Sequence, residues 1–331
     1  MKQVSNISKA AVIGAGSWGT TVAAILASNI DHVMLWGRNE DDVHAINSAH
    51  VNRRFLPNFT LPGNIQATTQ YEDAFSGCQL FVWAIPVQYT RERLQDCKRW
   101  ISPNAIMVNL SKGLEEDTWY RPSEIIAQEC TQCSIVGTLS GPNLAAEISA
   151  GKRASATLAI ANYWELSGLE SLFSSSNFTV ELSPHVIALE LAAALKNIVA
   201  IAAGICDGLE LGWNIKASVI AVGFSEIQSL GEALGANKDS FVSVFCLGDL
   251  IATCGSENSR NHTLGERIGR GDTLEEAKMY LNGRVAEGVA TTVACHQFMD
   301  RIGLYLPLVD LVYQTLTVGL ESEKFGKGIV Y

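Results

Sequence analysis

Three groups of residues in this 331-residue chain have the types and spacing to do chemistry. The first is Thr253-Cys254-Gly255-Ser256-Glu257-Asn258-Ser259-Arg260-Asn261-His262, which follows Gly248-Asp249 and crowds hydroxyl, amide and guanidinium groups together. Arg260 offers a planar fork of donors, Asn261 an amide and Ser259 a hydroxyl, a set that suits a phosphate monoester. A helix-capping loop is the alternative source of the same pattern. The second is Lys196, flanked by Ala192 and Ala193 one turn before it and by Val199 and Ala200 one turn after. A lysine buried on such a face must be paired or functional, because desolvation lowers its pKa and brings proton transfer near neutral pH within reach. Its structural partners would be Glu190 or Asp249. Asp249 is either the group that orients Lys196 or the cap of a helix beginning near Leu250. His262 is the rival proton carrier, although its place beside Arg260 and Asn261 suits orientation better. The third is Gly14-Ala15-Gly16-Ser17-Trp18-Gly19, the spacing in which one glycine turns the chain, the next admits a pyrophosphate to the backbone and the last packs a helix closely.

These groups need elements that hold them. Ala10 to Ile13 is a short apolar run of the kind a buried parallel strand uses, and Thr20 to Ala27 continues with helical spacing, giving strand, phosphate loop and helix. Further strands are expected at 32 to 36, 79 to 85, 105 to 110 and 133 to 139, the last three ending at Pro86, at Ser111-Lys112-Gly113 and at Ser140-Gly141-Pro142-Asn143. Strands alternating with helices predict an α/β, Rossmann-like, doubly wound and mostly parallel sheet, with ligands beyond the carboxyl ends of its strands. From Pro184 onward the alternation stops, and helices are expected at 186 to 206, 214 to 234, 241 to 254, 274 to 280 and 284 to 301. The reading is a dinucleotide-binding domain over 1–190 and an all-α domain for substrate and catalysis over 191–331. The run 186 to 206 has the length of a membrane span, but Glu190 and Lys196 near its middle make it a buried soluble helix. At the end of the second strand, Trp36-Gly37-Arg38 places an arginine where an NAD-preferring fold usually has a carboxylate. Arg38 favours NADP through its 2′-phosphate, while Glu40 and Asp41 keep NAD open and a plain surface arginine is the bland alternative.

A hydrophobic content of 47% supports a large core, and a net charge of −10 argues against nucleic acid or an anionic membrane as the main partner. An anion site must therefore be a local cluster of cations. Of eight cysteines only Cys130 and Cys133 have Cys-x-x-Cys spacing, and without a second pair they read as reduced thiols of a cytosolic enzyme rather than a metal site. Residues 10 to 27 imitate a signal peptide, but their glycine spacing is better explained by the phosphate loop, so a mature cytoplasmic N-terminus is expected.

The glycine fingerprint, the Ala194-Leu195-Lys196-Asn197 segment and the Ser259-Arg260-Asn261 cluster, in that order between about residue 10 and about residue 290, resemble the bacterial-type, soluble NAD(P)-dependent glycerol-3-phosphate dehydrogenases. The resemblance implies reversible NAD(P)H-dependent reduction of dihydroxyacetone phosphate to sn-glycerol 3-phosphate, feeding glycerophospholipid synthesis. It implies a small phosphorylated substrate, no stable membrane insertion, and room for a homodimer. Lys196 would exchange a proton with the C2 oxygen while nicotinamide C4 exchanges a hydride with C2. Residue by residue it sets Gly14, Gly16, Ser17, Trp18, Gly19, Arg38, Lys112, Ala145, Arg260, Val285 and Glu287 around the cofactor. Lys112, Gly141, Asn143, Lys196, Asp249, Ser259, Arg260 and Asn261 would surround the substrate. The chain departs from the family pattern at Val87, at Val222 and at Phe245-Cys246-Leu247, departures expected to leave the reacting groups untouched. A related lysine-dependent hydroxy-acid or sugar-phosphate dehydrogenase is the runner-up, and a non-catalytic dinucleotide sensor a third reading.

Overall fold

The computed structural model of the chain describes residues 7–162, 168–256, 259–281, 284–318 and 325. It divides into two units, Met1–Ser111 with Pro122–Val186, and Lys112–Arg121 with Ile187–Tyr331. The division falls at Val186, and the short stretch carrying Lys112 groups with the second unit, which a single boundary at residue 190 cannot express.

In the first unit the chain runs β1 (Lys9–Ile13), α1 (Ser17–Ala27), β2 (His32–Trp36), α2 (Glu40–Ala49), β3 (Ile65–Thr68), α3 (Tyr71–Phe75), β4 (Leu80–Trp83), α4 (Val87–Cys97), β5 (Ile106–Asn109), α5 (Pro122–Glu129), β6 (Ile135–Ser140), α6 (Ala145–Ser149), β7 (Ala154–Ala159), α7 (Leu169–Leu172) and β8 (Phe178–Ser183). The strands form one sheet in the order β3-β2-β1-β4-β5-β6-β7-β8. All neighbours are parallel except β6 and β7, which run antiparallel with Leu139 opposite Leu158. Because successive side chains of a strand point to opposite faces, Val12 and Val82 enter one apolar cluster with Val22 and Leu26 of α1, while Ile13 and Trp83 enter another with Leu94 of α4 and Ile125 of α5. Helices thus cover both faces, which is why these strands read as nearly continuous apolar runs. The strand order reverses at β1, with β2 on one side and β4 on the other, and the carboxyl end of β1 is the switch point where a ligand crevice is expected.

Three strands were not anticipated. β3 and β7 are short or built of small residues, while β8 carries a clean alternation of Phe178, Val180 and Leu182 with Thr179 and Glu181.

In the second unit, α8 (Val186–Gly208) is apolar and long enough to cross a bilayer, yet every residue from Ala188 to Cys206 is buried, as the core helix of a folded unit would be. It is followed by α9 (Gly212–Ala233), α10 (Asp249–Gly255), α11 (Arg260–Gly269), α12 (Leu274–Tyr280), α13 (Gly288–Ile302) and α14 (Pro307–Thr317). The single helix expected over 241–254 is instead a 3-10 turn at Lys238–Phe241, a π-helical turn at Val244–Gly248 and then α10. Helices α11 and α14 are additional to those expected. Helices α8 and α11 meet backbone to backbone: a Cβ on Gly204 would lie 2.0 Å from the His262 carbonyl oxygen, and one on Gly265 would lie 2.0 Å from that of Ile201. Gly208 and Gly269 make the same kind of approach one turn further on, at 2.3 Å and 2.5 Å from carbonyl oxygens.

Alanine normally stabilises a helix relative to glycine by about 1 kcal/mol. At Gly265 the sign should reverse, because neither backbone can yield, and overpacking costs about 1–3 kcal/mol or more. Gly265→Ala is expected to lower the denaturant midpoint, whereas Gly255→Ala, whose Cβ meets nothing within 4 Å, should leave it unchanged or higher. Equal midpoints for the two variants would contradict the close α8–α11 contact.

Candidate active site

The expected site residues fall into two sets. Gly14, Gly16, Ser17, Trp18, Gly19, Arg38, Gly141, Asn143 and Ala145 belong to the first unit, and Lys112, Lys196, Asp249, Ser259, Arg260, Asn261, Val285 and Glu287 to the second. Within the 253–262 stretch, Glu257 and Asn258 lie outside the described residues.

In the first unit the glycine loop follows β1 and opens α1. Gly14 has φ +120°, a conformation that favours glycine, and a Cβ there would come 2.6 Å from the Ala84 carbonyl oxygen at the end of β4. Gly19 lets the first turn of α1 close onto the loop, since its Cβ would sit 2.0 Å from the Gly14 carbonyl oxygen. Gly16 differs: a Cβ there meets nothing within 4 Å, so its side of the loop is open. Gly16 is also the N-cap of α1 and brings no side chain to the first-turn amides, which are therefore free to receive an anion. These features fit a dinucleotide pyrophosphate. Trp18 packs edge-on against Phe178 at 5.9 Å, and its buried indole N–H has no acceptor among the described residues.

Asn52, which the sequence reading missed, clips the loop in place. It is fully buried and donates from Nδ2 to the Ala15 carbonyl at 2.9 Å and to Thr20 Oγ1 at 2.8 Å. No spacing rule singles it out. Arg38 follows Gly37, whose Cβ would reach 2.9 Å from the Ala15 methyl, so the arginine leaves the sheet beside the glycine loop. It is exposed and has no salt bridge among the described residues. Asn39, next to it, caps α2 by accepting from the Asp42 amide at 2.8 Å. After β6, the Asn143 amide, in the orientation that satisfies both of its ends, joins its loop to β7, donating to the Ser155 carbonyl at 3.1 Å and accepting from the Gly141 amide at 3.2 Å. Ala145 is the first residue of α6, and Val87, one of the departures, is a buried first residue of α4.

In the second unit, Lys196 sits in the middle of α8 with 5% of its surface exposed. Its ammonium is ion-paired with Asp249 Oδ2, and Lys112 Nζ stands 3.7 Å from the same oxygen. Glu190 is not its partner: that carboxylate takes Arg121 at 2.9 Å. Nor does Asp249 cap a helix. It is the first residue of α10 but bonds no free amide, and its other oxygen lies 3.3 Å from Thr253 Oγ1. Burial pulls the Lys196 pKa down to about 7, the neighbouring Lys112 adds to that, and Asp249 opposes it. Lys112 is held by the 112–121 stretch, which Arg121 ties to α8 and whose Trp119 lies under the Arg301 guanidinium, 4.0 Å from the ring centroid.

The π-helical turn ends immediately before Asp249, and the Cys246 thiol, raised by burial, also feels the charges of Asp249 and Lys196. The departure at Phe245-Cys246-Leu247 therefore lies within electrostatic reach of the Lys196–Asp249 pair. Val222 is exposed on α9.

Ser259 is the N-cap of α11, accepting from the His262 amide at 3.3 Å, so the capping reading holds for this residue. Arg260 is exposed at the first position of the helix, and buried Asn261 accepts through Oδ1 from the Gly288 amide at 2.9 Å, joining α11 to the start of α13. Glu287 precedes α13. Burial raises its carboxyl while the charges of Arg260, Lys112 and Lys196 draw it down, so the two lysines paired with Asp249 and Arg260 all act on this second carboxylate. Val285 is exposed on the approach to α13. His262 is engaged elsewhere, its Nε2 lying 2.6 Å from Asp207 Oδ2.

Two family models match the chain: the N-terminus of NAD-dependent glycerol-3-phosphate dehydrogenase over residues 9–165 and its C-terminus over residues 185–327. The chain is 39% identical over 304 residues to the glycerol-3-phosphate dehydrogenase (NAD(P)+) of Corynebacterium glutamicum, covering 91% of each. It is 38% identical over 315 residues to the protein of that name from Bacillus thuringiensis, covering 95% of this chain and 92% of that one. The crystal structure of glycerol-3-phosphate dehydrogenase from Coxiella burnetii matches it with a TM-score of 0.92 at 30% identity, over 98% of this chain and 99% of that one.

The glycine geometry separates binding from folding. Gly16→Ala puts a methyl into open space at an ordinary φ of −77°, so thermal stability should hold while dinucleotide affinity, read by fluorescence titration, falls by about tenfold or more. Gly14→Ala, strained and crowded, should lower the melting temperature as well. Unchanged affinity in folded Gly16→Ala would remove the pyrophosphate from this loop.

Proposed function

The chain belongs to the NAD-dependent glycerol-3-phosphate dehydrogenase family, and from that premise we propose that it interconverts dihydroxyacetone phosphate and sn-glycerol 3-phosphate with NADPH or NADH. The observation that carries the reading is the buried Lys196–Asp249 pair beside Lys112, in a unit whose Arg260 and Glu287 share its electrostatic field. The first unit binds the dinucleotide through the glycine loop, and the second carries the proton transfer and the phosphate contacts. We place the activity in the cytoplasm, supplying the glycerol backbone of phospholipids.

The reduced nicotinamide, when bound, supplies the hydride that C2 of the ketone receives. The protein's part is charge and protons. Lys196 as ammonium donates a proton to the C2 oxygen in the reducing direction, and as amine it accepts one in the oxidising direction. Asp249 holds the ammonium in place and limits how far burial lowers its pKa. Arg260, with two parallel N–H groups, takes the phosphate, helped by Lys112 and by the free donors of Asn261. On a chain of net charge −10 this local excess of cations is what attracts a dianionic substrate.

Following NADPH and NADH absorbance with dihydroxyacetone phosphate and with unphosphorylated dihydroxyacetone tests reaction, cofactor and substrate class together. Lys196→Met should keep the fold and dinucleotide affinity but lose turnover by about a hundred- to ten-thousand-fold. With the Lys196 pKa at about 7, ketone reduction should fall as pH rises through that value, because the donating ammonium is lost. Alcohol oxidation should rise over the same range. Turnover of Lys196→Met within about threefold of the parent would sink the assignment.

The exposed Arg38 guanidinium, with no carboxylate at the end of β2, favours the 2′-phosphate. Arg38→Ala should weaken NADPH more than NADH, by roughly tenfold or more in the ratio of their KM values. Equal losses would mean that Arg38 meets only the part common to both cofactors.

A further inference from the structure

The helical unit holds a second set of charged groups, two of them buried, that the proposed reaction leaves unused. Asp207 lies in the last turn of α8, Lys216 near the start of α9, and His262 in the first turn of α11. Asp207 Oδ2 accepts from Lys216 Nζ at 2.5 Å and lies 2.6 Å from His262 Nε2. The Lys216 and His262 side chains are only 5% and 7% exposed while that of Asp207 is 34% exposed, so one half-buried carboxylate oxygen joins three helices. Lys216 also lies 4.6 Å from the centroid of the Trp213 ring. Burial pushes the Asp207 carboxyl up, but the hydrogen bonds from Lys216 and His262 outweigh it and hold the group below its ordinary range.

The cluster matters because of what α11 carries. At the Gly204, Gly208, Gly265 and Gly269 seam, α8 and α11 touch backbone to backbone. Such a seam sets the distance between the helices and which of their faces meet. At the start of α11 side-chain anchors are added to it. Asn261 is bonded to the Gly288 amide and His262 to Asp207, two adjacent side chains tied to different partners. Between Ser259, which caps the helix, and these two anchors stands Arg260, exposed.

We propose that Asp207 is a positioning residue for the phosphorylated substrate: paired with Lys216, it fixes His262 and so sets the orientation in which the first turn of α11 presents Arg260. The proposal rests on the reading of Arg260 as the phosphate ligand. It assigns His262 an anchoring role instead of proton transfer, and it gives the buried Lys216 a purpose as the cation paired with the carboxylate that holds His262.

The test compares His262→Leu, which removes the bond to Asp207, with His262→Gln, which keeps an N–H donor at similar reach, and with Arg260→Lys. Asp207→Asn is made as well, although it leaves Lys216 unpaired and can lower stability, so the His262 pair decides. In folded His262→Leu, KM for dihydroxyacetone phosphate should rise about tenfold with kcat within about threefold, as expected when binding rather than the chemical step is disturbed. NADPH affinity and the slow turnover of unphosphorylated dihydroxyacetone should be unchanged, and His262→Gln should recover most of the loss. A role confined to stability would lower the melting temperature and depress both ketones alike, and that result overturns the proposal. So does an unchanged KM in His262→Leu while Arg260→Lys raises it, an outcome that leaves the phosphate reading standing. If Arg260→Lys also leaves KM unchanged, the phosphate reading fails and takes this proposal with it.

Discussion

Everything in the helical unit is arranged around an ion pair in a place where ions are expensive. Lys196 lies mid-way along a helix buried from Ala188 to Cys206, and Asp249, 2% exposed, is its partner. Removing an ammonium and a carboxylate from water costs several kcal/mol per ion, and well-packed apolar residues in their place are often equally stable or more so. Stability alone therefore gives a poor account of the pair. Proton transfer gives a better one, because the same burial that makes the pair costly brings the lysine pKa down to where amine and ammonium coexist. The surroundings keep that balance: Asp249 prevents the lysine from simply staying neutral, while Lys112 on the same oxygen competes for the negative charge.

Close backbone approach is the second constraint, and it recurs in both units. Gly14 and Gly19 bring β1, β4 and α1 together at the switch point of the sheet, while Gly204, Gly208, Gly265 and Gly269 bring α8 and α11 together. Glycine costs helix stability locally, and here the closeness it permits is the compensation. Gly288 extends the pattern, since a Cβ there would crowd Asn261 Oδ1 at 2.8 Å and the Asn197 carbonyl at 2.9 Å. The residue after Lys196, the first turn of α11 and the start of α13 thereby meet at one point. Any change in the α8–α11 spacing must displace Arg260 and Lys196 relative to each other.

These same glycines explain what was legible from sequence. Continuous apolar strands such as His32–Trp36 were found because burial on both sides leaves an unmistakable run. Helix α11 was missed because Gly265 and Gly269 depress helical propensity while Ser259-Arg260-Asn261 draws attention as a ligand set; both are consequences of its packing and position. The alternation in Phe178–Ser183 was present and went unread, whereas Ala154–Ala159 has no side-chain pattern and exists as a strand through its neighbours. At the site, the glycine fingerprint and Lys196 were readable as local patterns. Asn52 and Asp207 were not, because their importance lies in partners 37 and 55 residues away.

A lone charge in an apolar helix was the signal that led to Lys196, and α9 contains the same signal twice. Lys216 and Glu226 are both buried there, and neither is used for proton transfer in the proposed reaction. Lys216 pairs with Asp207, while Glu226 receives the Leu308 and Val309 amides at 2.6 Å and 3.1 Å, where the unsatisfied donors of α14 begin. Burial raises the Glu226 carboxyl to about 7 against the pull of those amides, a shift as evident as that of Lys196. A perturbed pKa therefore marks a charge that the fold must accommodate, without saying why. The partners make the distinction: Glu226 has both oxygens committed to backbone amides, and Asp207 is divided between two side chains that anchor helices. Lys196 faces a carboxylate oxygen that also lies near a second cation, in a group completed by Arg260 and Glu287, and a substrate bearing both a phosphate and a carbonyl oxygen can use each of those charges.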